Sequence, residues 1–104
     1  MLTETGQRLE RYLDRISLRQ SLTASNIANA DTPGYKTKDI DFQSELASII
    51  EAPGLVTRND GNNVNVDRES RMLSENAMKF AIASNLLQTQ IRGLRAAIQE
   101  GRSS

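Results

Sequence analysis

The chain has 104 residues, 13 basic and 13 acidic side chains for zero net charge, and neither histidine nor cysteine. Balanced charge argues against nucleic-acid binding, which needs a basic excess, and the two missing residue types remove the usual general base, thiol nucleophile, disulfide framework and most transition-metal sites. With 38% hydrophobic residues, two Phe, two Tyr, no Trp and a mean hydropathy of -0.51, the chain alone has too little core to offset its backbone entropy, so copies of itself or partners are expected to supply the rest.

Residues 1–30 read as an N-terminal assembly helix. Leu2, Gly6, Leu9, Leu13, Ile16, Gln20, Thr23, Ile27 and Ala30 alternate steps of four and three, the heptad spacing that aligns them along one seam. Gly6, Gln20 and Thr23 are weak knobs in it. Pro33 and Gly34 end the helix: Pro lacks an amide donor, and Pro followed by Gly at the two central positions marks a type II turn.

Residues 31–66 are polar and turn-rich, a short irregular middle segment. Asp41 is placed to cap a short helix with Phe42, Leu46, Ile49 and Ile50 on one face, stopped by Pro53-Gly54. Leu55 to Val66 suggests a small hairpin around Asp60-Gly61, with Val64 and Val66 alternating with polar neighbours.

Residues 67–104 read as a C-terminal assembly helix. Asp67 is its expected N-cap, with Glu69 in the favourable first turn. Leu73, Ala77, Phe80, Ser84, Leu87, Ile91, Leu94 and Ile98 form a cleaner seam, broken only by Ser84. The fold class is therefore mainly α: two long terminal helices packing as a coiled-coil-like pair in an assembly, each roughly 40–50 Å long at about 1.5 Å per residue.

The outer helix faces are less ordinary. Met78, Ile82 and Leu86 fall away from the second seam, and Leu18 and Leu22 away from the first. A simple hairpin of helices leaves all five in water. A contiguous apolar row of this kind marks an interface, unless the middle segment folds back over it. Arg8, Arg11, Arg15 and Arg19 form a basic ridge, read as a solvated face with contact to an acidic partner surface as the alternative, in which Glu4 and Arg8 make a favourable i, i+4 pair.

Nothing in the chain assembles into catalytic chemistry, so no catalytic, cofactor-binding or metal site is expected. The carboxylate pairs Asp39/Asp41 and Asp67/Glu69 suit loop solvation and helix capping. Aligning Gly61 with the turn glycine of a calcium loop puts Val56 and Arg58 at oxygen-ligand positions, so that match fails. No phosphate-binding or dinucleotide fingerprint occurs. The N-terminus, Met1-Leu2-Thr3-Glu4, has neither the basic region nor the apolar core of a Sec-type signal. No stretch approaches the roughly 20 apolar residues of a membrane span. If the protein leaves the cytoplasm, a signal-independent route is expected.

The most informative segment is Ser25-Asn26-Ile27-Ala28-Asn29-Ala30-Asp31-Thr32-Pro33-Gly34-Tyr35-Lys36. It closely resembles the N-terminal motif of the bacterial flagellar rod, hook and hook-associated axial proteins. Lys38-Asp39-Ile40-Asp41-Phe42 continues the resemblance, and the stretch from Asp60 to Glu69 is similar to a second one found in a proximal rod member of that family. The C-terminal helix, with Glu75-Asn76-Ala77, then completes it over nearly the whole chain. Two departures are a short region between Phe42 and Asp60, and Phe80 where a Tyr is expected.

The resemblance implies a structural subunit of the proximal rod in the basal body, with no enzymatic activity. It also implies assembly with itself and other rod proteins into a tube that transmits torque. Further implied features are export through the flagellar type III apparatus without a cleaved signal, a periplasmic location, and neighbours that include the adaptor protein FliE and the membrane-embedded ring. Within the motif, Asn26 and Asn29 are poor helix formers placed to satisfy terminal carbonyls, and Tyr35 offers a ring to pack and a hydroxyl to bond. The alternatives are another proximal rod component, or a soluble coiled-coil adaptor or export chaperone, which would keep polar outer helix faces.

Overall fold

The computed structural model describes residues 2–103, so Met1 and Ser104, at the extremes of the two expected helices, lie outside the described residues. Helix α1 spans Glu4–Ala28, strands β1 and β2 span Lys38–Asp41 and Ser48–Glu51, and helix α2 spans Val66–Ser103. The two helices are the antiparallel arms of an elongated molecule, 71 × 24 × 17 Å in extent. The direction follows from three contacts. Thr3 bonds Gln90, the Gln20 amide donates to the Leu73 carbonyl, and Asn26 bonds Glu69. Since Gln90 meets Thr3, α2 continues past the N-terminal end of α1 for roughly three turns.

Thr3 caps α1, its hydroxyl accepting from the Gly6 amide at 3.0 Å. At the other end Asn29 satisfies the terminal carbonyls with both its backbone and side-chain N–H groups. The chain then turns at Thr32–Tyr35, where the Tyr35 amide reaches the Thr32 carbonyl and Gly34 takes φ +76°. This is the expected Pro-Gly type II turn. The cap of α2 is Asn65 rather than Asp67: its side chain accepts from the Arg68 amide at 3.0 Å, and its carbonyl from the Glu69 amide. Asp67 lies inside the first turn, opposite Arg71.

The middle segment differs from the sequence expectation. No helix starts at Asp41 and no hairpin forms over 55–66. Instead β1 and β2 pair antiparallel, with Asp39 opposite Ile50 and Ile40 opposite Ile49. Phe42, Leu46, Ile49 and Ile50 do fit a helical period. Two adjacent β-branched residues nevertheless favour a strand. Asp41 spends its carboxylate on the Gln43 amide, a local turn that competes with a helix start. The expected two-residue Asp60-Gly61 turn is replaced by one centred on Asn59-Asp60, closed by the Gly61 amide bonding the Arg58 carbonyl at 2.9 Å, with Gly61 after it at φ +84°. The Arg58 amide bonds the Asn62 carbonyl across it at 2.8 Å, but the flanks form no strand pair beyond that.

The core is thin. Its buried apolar residues are Ile16, Ile40, Ala52, Val64 and Ala83, and buried polar side chains outnumber them. Along α2 the fully buried positions are Glu69, Asn76 and Ala83, seven residues apart and one position off the predicted Ala77–Ser84 line. Leu73, Leu87, Ile91 and Leu94 stay half-buried, whereas Ala77, Phe80 and Ile98 are exposed. Apolar spacing alone misplaces the line because the rotation of α2 is fixed by a buried polar contact, Asn26 to Glu69. On α1, Ile16 is buried and Leu9, Leu13 and Ile27 are half-buried, so the line there follows the apolar spacing.

Candidate assembly site

The motif at the end of α1 and the stretch before α2 clasp one another through asparagine side chains. Asn26, 1% exposed, is the centre. Its amide nitrogen donates to the Lys38 carbonyl at 2.8 Å and to the Glu69 carboxylate. Its oxygen accepts from the Lys38 amide and from the Tyr35 hydroxyl, each at 3.0 Å. The second carboxylate oxygen of Glu69 takes Arg68 at 2.8 Å. One side chain thus ties α1, the Pro-Gly turn, β1 and α2 together, and the buried carboxylate is both paired and hydrogen-bonded, as burial of charge requires.

Asn62 and Asn63 close the other side. The Asn62 amide donates to the Asn29 and Thr32 carbonyls at 2.9 and 2.8 Å, satisfying the frayed end of α1. Asn63 accepts from the Thr37 amide, Lys36 reaches the Gly61 carbonyl, and Arg58 bonds the Val64 and Ala30 carbonyls. Gly61, at φ +84°, sits against Gly34, so that a Cβ there would lie 3.2 Å from the Gly34 Cα. Of the predicted motif, Asn26, Asn29, Thr32, Gly34, Tyr35 and Lys36 are therefore brought into one network. Ser25 and Ala30 contribute backbone carbonyls to it, Ile27 is half-buried, and Ala28, Asp31 and Pro33 are exposed. Asn62, Asn63 and Glu69 were not read as partners of the motif from the sequence. Their signal is a run of amide residues too dense for an ordinary turn, but pairing at a separation of 43 residues has no sequence period.

The basic ridge is only partly solvated. Arg8 pairs with Glu4 as expected. Arg19 grips Asp39 through two hydrogen bonds of 2.9 and 2.8 Å and lies over the Phe42 ring at 5.0 Å. Arg15 donates to the Phe42, Ser44 and Glu45 carbonyls. The hairpin is thus pinned to one flank of α1. Leu18 and Leu22 lie on that flank and are half-buried.

The outer row of α2 has no such cover. Met78 is 66% exposed, Ile82 58% and Leu86 52%. On the other flank of α2, Ile16, Ser17, Gln20, Ser21, Ala24, Asn76, Ala77 and Phe80 line a groove of about 520 Å³ between the helices. The Gln20 oxygen and the Asn76 amide nitrogen in its lining are buried without a hydrogen-bond partner. Among the described residues, no group of acidic or metal-ligating side chains is arranged to hold a metal ion, and no helix is long and apolar enough to cross a membrane.

Comparison with known proteins agrees with this reading of the motif. The family model described as "Flagella basal body rod protein" matches residues 13–36. The flagellar basal body rod protein FlgB of Salmonella typhimurium is 32% identical, over 80% of this chain and 84% of its own. FlgB of Borrelia hermsii is 33% identical, over 73% and 82%. FlgB of Bacillus subtilis is 26% identical, over 98% of both chains. A polar clasp built from the matched motif, on a helix pair with apolar surface to spare, thus accompanies likeness along most of the length, and the chain belongs to the FlgB family of flagellar basal-body rod proteins.

Proposed function

We propose that this structural rod subunit builds a helical tube with copies of itself and other axial proteins, its two helices lying side by side with those of neighbours and carrying torque. The observation that carries the reading is the uncovered apolar row Met78, Ile82 and Leu86 on α2. An apolar row of this kind is a surface that a second helix completes, and the groove lined by Ala77 and Phe80, with its unpartnered buried polar groups, is a separate one on the other flank of α2. The exposed seam residues Ala77, Phe80 and Ile98 add to it, as does the part of α2 beyond α1. In the same reading the clasp is a rigid corner that sets the angle between the helix pair and the middle segment. A soluble adaptor or export chaperone would need a polar outer face on α2. Another proximal rod component, of the FlgC type, is disfavoured because FlgB proteins match this chain along most of their length. The family setting supports a periplasmic rod position reached by type III export without a cleaved signal, next to FliE and the membrane-embedded ring.

Ile82→Lys tests the reading. A charged side chain in an apolar helix contact weakens assembly, while on an exposed site it changes the monomer by no more than about 0.5 kcal/mol. Incorporation into basal bodies is expected to fall with an unchanged monomer spectrum. Equal incorporation of mutant and wild type would refute the contact.

A further inference from the structure

Helix α1 carries two oppositely charged flanks over the same few turns. At about 100° per residue, Arg8, Arg11 and Arg15 project on one side of its solvent-facing crest. Glu10 and Asp14, at i and i+4, project roughly 110° away on the other side. The basic flank is a built cleft of about 240 Å³, lined by Arg8, Arg11, Tyr12, Arg15 and Phe42. Arg15 is held there by three neutral carbonyls, so its charge is fixed in place and uncompensated. Arg11 is exposed, with no ion-pair or hydrogen-bond partner among the described residues, and so are Glu10 and Asp14. Arg8 pairs with Glu4 at 2.8 Å on a side chain that is 70% exposed.

We propose that the Arg8–Arg11–Arg15 cleft of one copy receives the Glu10–Asp14 flank of the next copy, making a directional, head-to-tail lateral contact between α1 helices. This rests on the assembly reading above and adds which face meets which neighbour. Complementary charge selects the occupant. The cleft takes carboxylates, and the same stretch of the same helix presents two of them roughly 110° away. Parallel copies side by side, related by a rotation of roughly 70° about the helix axis and a displacement of roughly 4 Å along it, bring Arg8 opposite Glu10 and Arg11 opposite Asp14. Because the two surfaces differ, the contact does not close on itself as a two-fold dimer; it propagates into a ring or an open helix. Like charges meet if a copy is reversed or turned, so the contact also sets polarity.

Charge reversal tests this. Each of the double variants Arg8→Glu/Arg11→Glu and Glu10→Arg/Asp14→Arg places like charges across the contact. Incorporation into basal bodies is expected to fall at least about tenfold for either alone. The chain carrying all four changes has both flanks exchanged and is expected to recover. Cysteine pairing gives a direct readout, since the chain has no cysteine of its own. Arg11→Cys and Asp14→Cys chains, co-expressed, are expected to cross-link to each other and not each to itself. Normal incorporation of either double variant, failure of the four-residue variant to recover, or absence of the mixed cross-link overturns the flank pairing. If wild type incorporates while these results go against the pairing, the contact alone falls. If wild type itself is absent from basal bodies, the assembly reading falls with it.

Discussion

Asn26→Ala removes the one side chain that touches every part of the clasp. Four hydrogen bonds disappear: to the Lys38 carbonyl, from the Lys38 amide, from the Tyr35 hydroxyl, and to the Glu69 carboxylate. The Tyr35 hydroxyl is half-exposed and can turn to water, so its loss costs little. The Lys38 groups and one Glu69 oxygen are left without partners. Glu69 is 1% exposed and keeps only Arg68. Each unsatisfied buried group costs about 1–3 kcal/mol, the charged one at the upper end. Relaxation and water entry into the small space left behind recover part of this, giving a net loss of about 3–5 kcal/mol. The assay is a thermal melt by circular dichroism with amide exchange at Thr37 and Lys38. For a chain of this size the loss corresponds to a fall of at least about 10 °C in midpoint. Adding Glu69→Gln should restore part of it, since a neutral amide is cheaper to leave underbonded than a carboxylate. A shift of only a degree or two in the single variant, or a double variant that is strictly additive, would refute a coupled buried pair.

Three further changes probe the pins and the turn. Arg19→Ala loses the two-bond grip on Asp39 and the Phe42 contact. It should cost about 2 kcal/mol and speed exchange at the Ile40 amide, while leaving the α2 amides beyond Asn76 unchanged. Arg8→Ala removes only an exposed i, i+4 pair with Glu4, so its melt should lie within about 0.5 kcal/mol of wild type. Gly61→Ala meets both a positive φ and the Gly34 Cα at 3.2 Å, and should cost about 2 kcal/mol or more. Gly54→Ala has the same sign of φ and open space around it. It should cost about 1 kcal/mol from backbone strain alone, and the difference between the two melts isolates the close approach.

The sequence by itself determined the two helices and the Pro-Gly turn that follows the first. Heptad spacing, the Pro33-Gly34 pair and helix-capping side chains are local, and each is read within a few residues. It also placed the motif, because a run of twelve specific residues does not depend on packing. Only the tertiary structure decided how the middle segment pairs. Ile49 and Ile50 fit the helical period with Phe42 and Leu46 while their β-branching favours a strand, and the ladder with Lys38–Asp41 decides between the two. The rotation of α2 was likewise beyond sequence reading. Leucine spacing pointed to Ala77, but the buried line runs through Glu69, Asn76 and Ala83, since a carboxylate taken out of water must reach its partner whatever the apolar period prefers. Arg15 and Arg19 show the same limit. A row of arginines on a helix reads as solvated until a hairpin folds back and offers three carbonyls and an aspartate to hold it.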